Sequence, residues 1–86
     1  MRFLHTDFHA EAGQAVEVAL SAPANVLLMD WSEFNNYKAR RAYRYYGGYA
    51  ARSPVRIGIP HAGHWYVVVN LGGYSGSVNA SFSLIG

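Results

Sequence analysis

Two stretches near the end of the chain carry a strand-like hydrophobic pattern, and they constrain the fold more than any other feature. Between residues 78 and 84 apolar side chains alternate with serine and asparagine, so one face would contact a core and the other water. Residues 65–71 are apolar on both faces, which predicts a central strand. The glycine-rich residues 72–76 between the two stretches can adopt positive φ, so we predict a hairpin that closes a sheet.

The first part of the chain predicts two further strands and a helix. In residues 14–21 the larger apolar side chains Val16, Val18 and Leu20 alternate with Ala15, Glu17 and Ala19, and the apolar run 26–29 follows after a turn. Asp30 and Glu33 have the spacing of a helix capping box, and the aromatic residues that follow recur at helical spacing. The sequence therefore predicts one short helix over residues 31–38.

The middle of the chain completes the predicted fold. Residues 40–46 and 52–59 predict two more strands, with Gly47 and Gly48 in the turn between them. Pro54 suits the beginning of a strand or an edge. The gaps between strands are too short for the crossover helices of a parallel sheet. We expect one all-β domain over residues 1–86, an antiparallel β-sandwich of about seven strands, jelly-roll-like or partly closed as a barrel.

Composition limits the classes of protein to which the chain can belong. An 86-residue chain holds one small core and has no room for a second domain. The absence of cysteine excludes a disulfide framework and thiol chemistry, and it fits a reducing compartment. Neither a signal peptide nor an apolar run of roughly 20 residues is present, so we expect a cytoplasmic protein with no membrane partner.

Charge is distributed unevenly along the chain. All five acidic residues precede residue 34, and six of the seven basic residues lie between residues 38 and 56. With one base against five acids, residues 1–33 carry a net charge of −4, whereas residues 34–86 carry +6. This asymmetry indicates an anionic partner for one surface, unless the two halves neutralise each other in the fold.

Tyrosines and arginines are interleaved in the basic part of the chain, and they form the strongest candidate binding site. The candidate residues are Arg40, Arg41, Tyr43, Arg44, Tyr45, Tyr46, Tyr49 and Arg52. Guanidinium groups pair with phosphate or carboxylate, while tyrosine stacks on flat rings or sugar faces. On a strand over residues 40–46, Arg41, Tyr43 and Tyr45 would share one face. Alternatively, the tyrosines pack with their hydroxyls at the rim, and the arginines keep an edge strand from aggregating.

The four histidines form two pairs, His5 with His9 and His61 with His64. Together they could hold zinc or copper if the fold brought the pairs together. The first pair has a metal-ligand spacing only on a helix, and the second lies in an Ala-Gly turn. His61 and His64 are therefore weak metal candidates, and we expect no metal and no other cofactor.

Motifs for hydrolytic or phosphate chemistry are incomplete. Residues 73–77 nearly match the nucleophile elbow, but the second glycine comes one place too early and no helix follows. Helix capping accounts for Asp30 and Glu33, the one close pair of carboxylates. The glycine pairs at 47–48 and 72–73 lack the lysine and the helix of a phosphate-binding loop. We expect no catalytic residues.

An ordered series of short segments resembles a known family. The segments are Ala24–Asp30, Phe34–Lys38, Tyr45–Gly48, Pro54–Ile57, Pro60–Trp65 and Asn70–Gly73. Together they look like the small bacterial family of domains of unknown function numbered 1883, and the likeness covers nearly the whole chain. The resemblance implies a small, compact β-sandwich in a bacterial cytoplasm, which stands alone in some members and lies beside a Toll/interleukin-receptor-type domain in others. It implies no activity and no catalytic residues.

These observations favour a non-enzymatic binding or protein-interaction module. Its partner would be a protein or an anionic ligand, either a nucleic acid or a glycan, held by the tyrosines and arginines. Two other functions stay open at this point. One is a homo-oligomer formed through sheet edges, and the other is a metal-dependent enzyme that uses the histidine pairs.

Overall fold

Seven strands and one helix make up the part of the chain that the computed structural model describes, residues 3–72 and 76–86. The strands are β1 (Phe3–Ala10), β2 (Ala15–Leu20), β3 (Ala24–Asp30), β4 (Tyr46–Ala50), β5 (Val55–Gly58), β6 (Gly63–Asn70) and β7 (Ala80–Ile85). The helix, α1 (Trp31–Lys38), connects β3 to β4. Within these residues no helix is long and apolar enough to cross a membrane.

The strands form two antiparallel sheets. The four-stranded sheet has the order β1-β6-β3-β4, and the three-stranded sheet has the order β5-β2-β7. The chain changes sheet at every connection except the one from β3 through α1 to β4. The predicted all-β sandwich with one short helix is therefore confirmed. Its two sheets stay separate and do not form a closed barrel.

Strands β3 and β6 are buried on both faces. Their inner faces point to the three-stranded sheet and contribute Val26, Leu28, Trp65, Val67 and Val69 to the core between the sheets. A second cluster on the outer face consists of Leu27, Met29, Val68 and Phe34, the last of which belongs to α1. Burial by a different layer on each side explains why these strands are apolar runs without alternation. The prediction of a central strand over residues 65–71 is confirmed, because β6 lies between β1 and β3.

The predicted hairpin between β6 and β7 is wrong. Strand β7 pairs with β2 in the other sheet, where Phe82 lies opposite Val18 and Leu84 lies opposite Val16. Val78, Ala80 and Phe82 of the alternating apolar face pack against the core as predicted, although on a different partner, whereas Leu84 is exposed. Strand β6 therefore ends in one sheet and β7 begins in the other, about 10 Å away. A glycine-rich composition marks a change of direction but does not determine which sheet the next strand joins. Residues 73–75 of the predicted turn lie outside the described residues.

The predicted strand over residues 40–46 is also wrong. Residues 39 and 40 form a turn after α1, and residues 41–45 have no regular secondary structure. Pairing with β3 begins at Tyr46. Gly47 and Gly48, predicted as a turn, lie inside β4. The prediction failed because tyrosine has a high strand propensity, whereas the backbone here follows the end of the helix. Downstream, Pro54 directly precedes the edge strand β5, in agreement with the predicted strand beginning.

Gly47 allows β4 to approach β3 closely. Its φ of 109° lies in the left-handed region that favours glycine. A Cβ at this position would overlap the carbonyl oxygen of Val26 and would lie 3.0 Å from Cδ1 of Ile57. Because the overlap involves backbone, no change of side-chain rotamer can relieve it. The glycine is therefore required by the contact between the two strands.

We expect the substitution Gly47→Ala to lower the free energy of unfolding by about 2 kcal/mol or more, because alanine is strained at this φ and the strands must separate. Urea denaturation measures the change. Gly58→Ala is the matched control, since a Cβ there meets nothing within 4 Å, and it should change stability by less than about 0.5 kcal/mol. Equal losses in the two variants would contradict the close approach at Gly47.

Candidate functional site

The beginning of α1 fixes the segment that follows the helix. Asp30 caps the helix, because its Oδ1 accepts a hydrogen bond of 2.9 Å from the Glu33 amide. The Glu33 carboxylate is not used for the reciprocal bond of a capping box. Its Oε1 instead accepts the Arg44 amide at 3.0 Å and lies 3.4 Å from Nδ2 of Asn36. Glu33 thus holds the coil after the helix against the first turn of the helix.

The end of α1 places an arginine where glycine is usual. Arg40 has a φ of 60°. Its amide donates to the Tyr37 carbonyl at 3.2 Å, and the Arg41 amide donates to the Asn36 carbonyl at 2.9 Å. These two bonds define a Schellman motif, whose left-handed position is most often glycine. An arginine at this position is strained, and such strain is found most often at functional sites.

A cleft of about 560 Å³ opens beside this segment, at the end of the four-stranded sheet. Its lining residues are Met29, Asp30, Glu33, Tyr43, Arg44, Tyr45, Tyr46, His61 and Trp65. Trp65 is buried, and its Nε1–H donates to the His61 carbonyl at 3.0 Å. The Tyr46 ring meets the Trp65 ring edge to face at 6.1 Å between centroids, and the His61 ring lies at 4.9 Å. The cleft therefore has an aromatic wall around one buried tryptophan.

Two of the tyrosines near the cleft have a structural role. The Tyr43 ring packs against Tyr37 at 5.1 Å and against Tyr45 at 5.7 Å. The Tyr37 hydroxyl accepts a hydrogen bond of 3.0 Å from the buried side chain of Asn70. Burial raises the pKa of Tyr37, and nearby Tyr43 acts in the same direction, while the bond from Asn70 opposes both. Tyr37 is therefore a neutral hydroxyl at neutral pH, and it anchors Tyr43.

All five carboxylates of the chain have partners inside the fold. Asp7 lies 2.7 Å from His64, Glu11 lies 3.5 Å from His9, and Glu17 lies 3.7 Å from Arg56. Asp30 and Glu33 accept backbone amides, as described above. In residues 3–72 and 76–86, no ion pair involves Arg40, Arg41, Arg44 or Arg52. The two halves of the chain therefore do not neutralise each other at these arginines.

The structure brings together some of the predicted site residues and separates others. Tyr43, Arg44, Tyr45 and Tyr46 line the cleft, and Arg40 and Arg41 lie exposed in the same segment. Tyr49 is 70% exposed on the outer face of β4, opposite Asn25. Arg52 follows the far end of β4, roughly 15 Å along the strand from Arg44. We refer to residues 40–46 as the tyrosine–arginine segment.

The two weak metal candidates lie on opposite faces of the four-stranded sheet. The His61 ring packs against Trp65 at the inner face, whereas the His64 ring packs 5.2 Å from Tyr66 on the outer face. His64 also lies directly opposite His9 in the β1–β6 register, so one member of each predicted pair does meet. Among the described residues, no group of three or more histidine, aspartate or glutamate side chains could hold a metal ion. Tyr74 and Ser75 of the near-elbow motif lie outside them.

Sequence reasoning did not assign His61, Trp65, Asp30 or Glu33 to the tyrosine–arginine site. Trp65 and Asp30 are far apart in the chain, yet they are direct partners in the β3–β6 register. That register depends on the strand order, for which the sequence carries no local signal. The one available signal was Glu33, whose spacing from Asp30 predicted the helix start.

The chain belongs to the family described as Domain of unknown function (DUF1883), whose model matches residues 1–85. The resemblance noted from the sequence is thereby confirmed. Comparison with curated proteins and comparison with solved structures gave no significant match.

Replacing Arg40 with glycine is expected to stabilise the domain by about 1 kcal/mol, because glycine adopts the left-handed conformation without strain. Thermal unfolding of the purified variant measures this gain. Arg41→Gly removes the same charge from the next position, which has no positive φ, and should not stabilise. A loss of stability in Arg40→Gly would show that the arginine side chain itself supports the fold.

Proposed function

We propose that this domain is a non-enzymatic binding module whose contact surface is the tyrosine–arginine segment together with the adjoining cleft. The main support for the proposal is that the acidic side chains have partners in the fold, whereas three neighbouring arginines have no ion-pair partner among the described residues. All five aspartate and glutamate side chains have a partner within the fold, while Arg40, Arg41 and Arg44 stay exposed and outside the described ion pairs. These cations are available for an anionic group of a ligand.

The aromatic residues beside these arginines support the proposal. Tyr45 and Tyr46 are each about half exposed, at 49% and 50%. The exposed half of each side chain contributes no packing to the folded domain, whereas tyrosine and arginine are enriched at binding surfaces. An anionic ligand with a flat ring or a sugar face would use both types of side chain. A cytoplasmic location and a bacterial source stay predictions from the sequence.

Self-association through β4 is a second candidate, because this edge strand carries no charged residue or proline and most of its residues are exposed. The flanking arginines oppose it. An antiparallel pair of β4 strands centred on Gly48 would place Arg44 of one copy beside Arg52 of the other. Light scattering at low and high salt tests this function, since screening of the repulsion would favour a dimer at high salt. A mass of 9.5 kDa under both conditions would reject it.

The double substitution Arg41→Ala and Arg44→Ala should weaken binding of a short single-stranded DNA oligomer or a sulfated glycan. Each lost contact with a phosphate should also reduce the slope of log affinity against log salt by about 0.7. Fluorescence anisotropy at several salt concentrations gives both quantities. Unfolding stability should change little, because the two side chains are exposed.

The matched control is the double substitution Arg52→Ala and Arg56→Ala. It removes the same charge, but both side chains lie outside the tyrosine–arginine segment and the cleft. We expect a smaller loss of affinity and a smaller change of slope, since these substitutions alter the long-range field and the Arg56–Glu17 ion pair but no side chain of the proposed contact surface. An unchanged salt slope in the first variant would contradict the proposed contact surface.

A further inference from the structure

The cleft contains three kinds of chemical group, and a simple anion would use only one of them. Arg44 supplies a cation, Tyr46 and His61 supply exposed rings, and Asp30 and Glu33 supply carboxylates. Inside the cleft, two carboxylates beside one guanidinium favour a ligand with a single anionic group, whereas further anionic groups of a longer ligand would contact Arg40 and Arg41 outside it. The occupant should therefore carry one anionic group, one flat ring and several hydrogen-bond donors.

The rings of Tyr46 and His61 flank the buried Trp65. Trp65 lies at the base, fixed by its hydrogen bond to the His61 carbonyl. The planes of Tyr46 and His61 are inclined to the Trp65 plane by 73° and 55°, so neither ring stacks flat against it. Both residues are solvent-exposed, and a flat heterocycle packed against their rings would replace water with aromatic contacts. Such stacking tolerates many ring types, because every base offers a π-face.

The carboxylates have acceptor capacity left. Oδ1 of Asp30 accepts the Glu33 amide, and Oε1 of Glu33 accepts the Arg44 amide. Within the described part of the chain, no hydrogen bond reaches Oδ2 of Asp30 or Oε2 of Glu33. An ionised carboxylate can only accept hydrogen bonds, so these two oxygens can bind hydroxyl or N–H donors of a ligand. Sugar hydroxyls are such donors.

We infer that the cleft binds a 5′-mononucleotide, with its base against Tyr46 and His61, its phosphate on Arg44 and its sugar hydroxyls directed to the two carboxylates. The inference rests on the proposed function, for which it names the ligand class. A guanidinium group can bind a phosphate through two parallel hydrogen bonds. The volume of about 560 Å³ lies in the range of small-molecule sites.

Isothermal titration calorimetry with the four 5′-mononucleotides tests the inference, with inorganic phosphate and the free nucleosides as separate arms. At least one mononucleotide should bind about tenfold or more tightly than either part alone, because the base and the phosphate are held by different residues. Affinity for the mononucleotide that is no better than affinity for phosphate would overturn the inference.

Two variants assign the contacts. Arg44→Gln should lower the affinity for the mononucleotide about tenfold and leave the affinity for the nucleoside unchanged, since it removes a charge-assisted bond. Tyr46→Leu should weaken both the mononucleotide and the nucleoside, because it removes a stacking face. Arg52→Gln, which removes the same charge at the far end of β4, should change neither affinity. An equal loss in Arg44→Gln and Arg52→Gln would overturn the assignment of the phosphate to the cleft.

The result also separates the inference from the proposed function. If no mononucleotide binds, but an oligonucleotide or a sulfated glycan binds in a way that depends on Arg41 and Arg44, the inference is wrong and the binding module stands. If none of these probes binds, both are wrong.

Discussion

Burial of β3 and β6 on both faces is the constraint on which the rest of the structure depends. Their inner faces require the three-stranded sheet, and their outer faces require a second cover. Helix α1 supplies that cover through Phe34, which is stacked on Tyr66 at 4.4 Å between ring centroids. Since α1 directly follows β3, a single connection covers the outer face and brings the chain to the edge of the same sheet. The position of the tyrosine–arginine segment follows from this path.

The same path explains why cations collect at one edge of the domain. The helix ends in a Schellman motif with Arg40 in the left-handed position, and the Arg44 amide returns to Glu33. The backbone between these two points is thus fixed by hydrogen bonds to the helix, while the arginine side chains stay exposed. Because the backbone that carries these charged side chains is already ordered, less conformational entropy is lost when a ligand binds.

The sequence predicted local structure well and long-range structure poorly. The helix over residues 31–38 has the predicted bounds, because its cap and its apolar residues are local signals. The partner of β7 was wrong, because pairing depends on which sheet the chain enters and not on the glycines before the strand. Tyr45 and Arg44 could be named from composition, but Trp65 and His61 could not be joined to them. Their meeting requires the β3–β6 register and the placement of β4, both set by packing across the whole domain.

Chemical-shift mapping of the ¹⁵N-labelled domain during titration with a 5′-mononucleotide tests the central claim most directly, because it locates binding without any substitution. The account predicts saturable shifts at the backbone amides of Arg44, Tyr46 and His61, and small shifts at Arg52 beyond the far end of β4. Saturable shifts centred on β7 or around Arg52, with residues 43–46 unchanged, would contradict the claim that the cleft beside the tyrosine–arginine segment is the binding site.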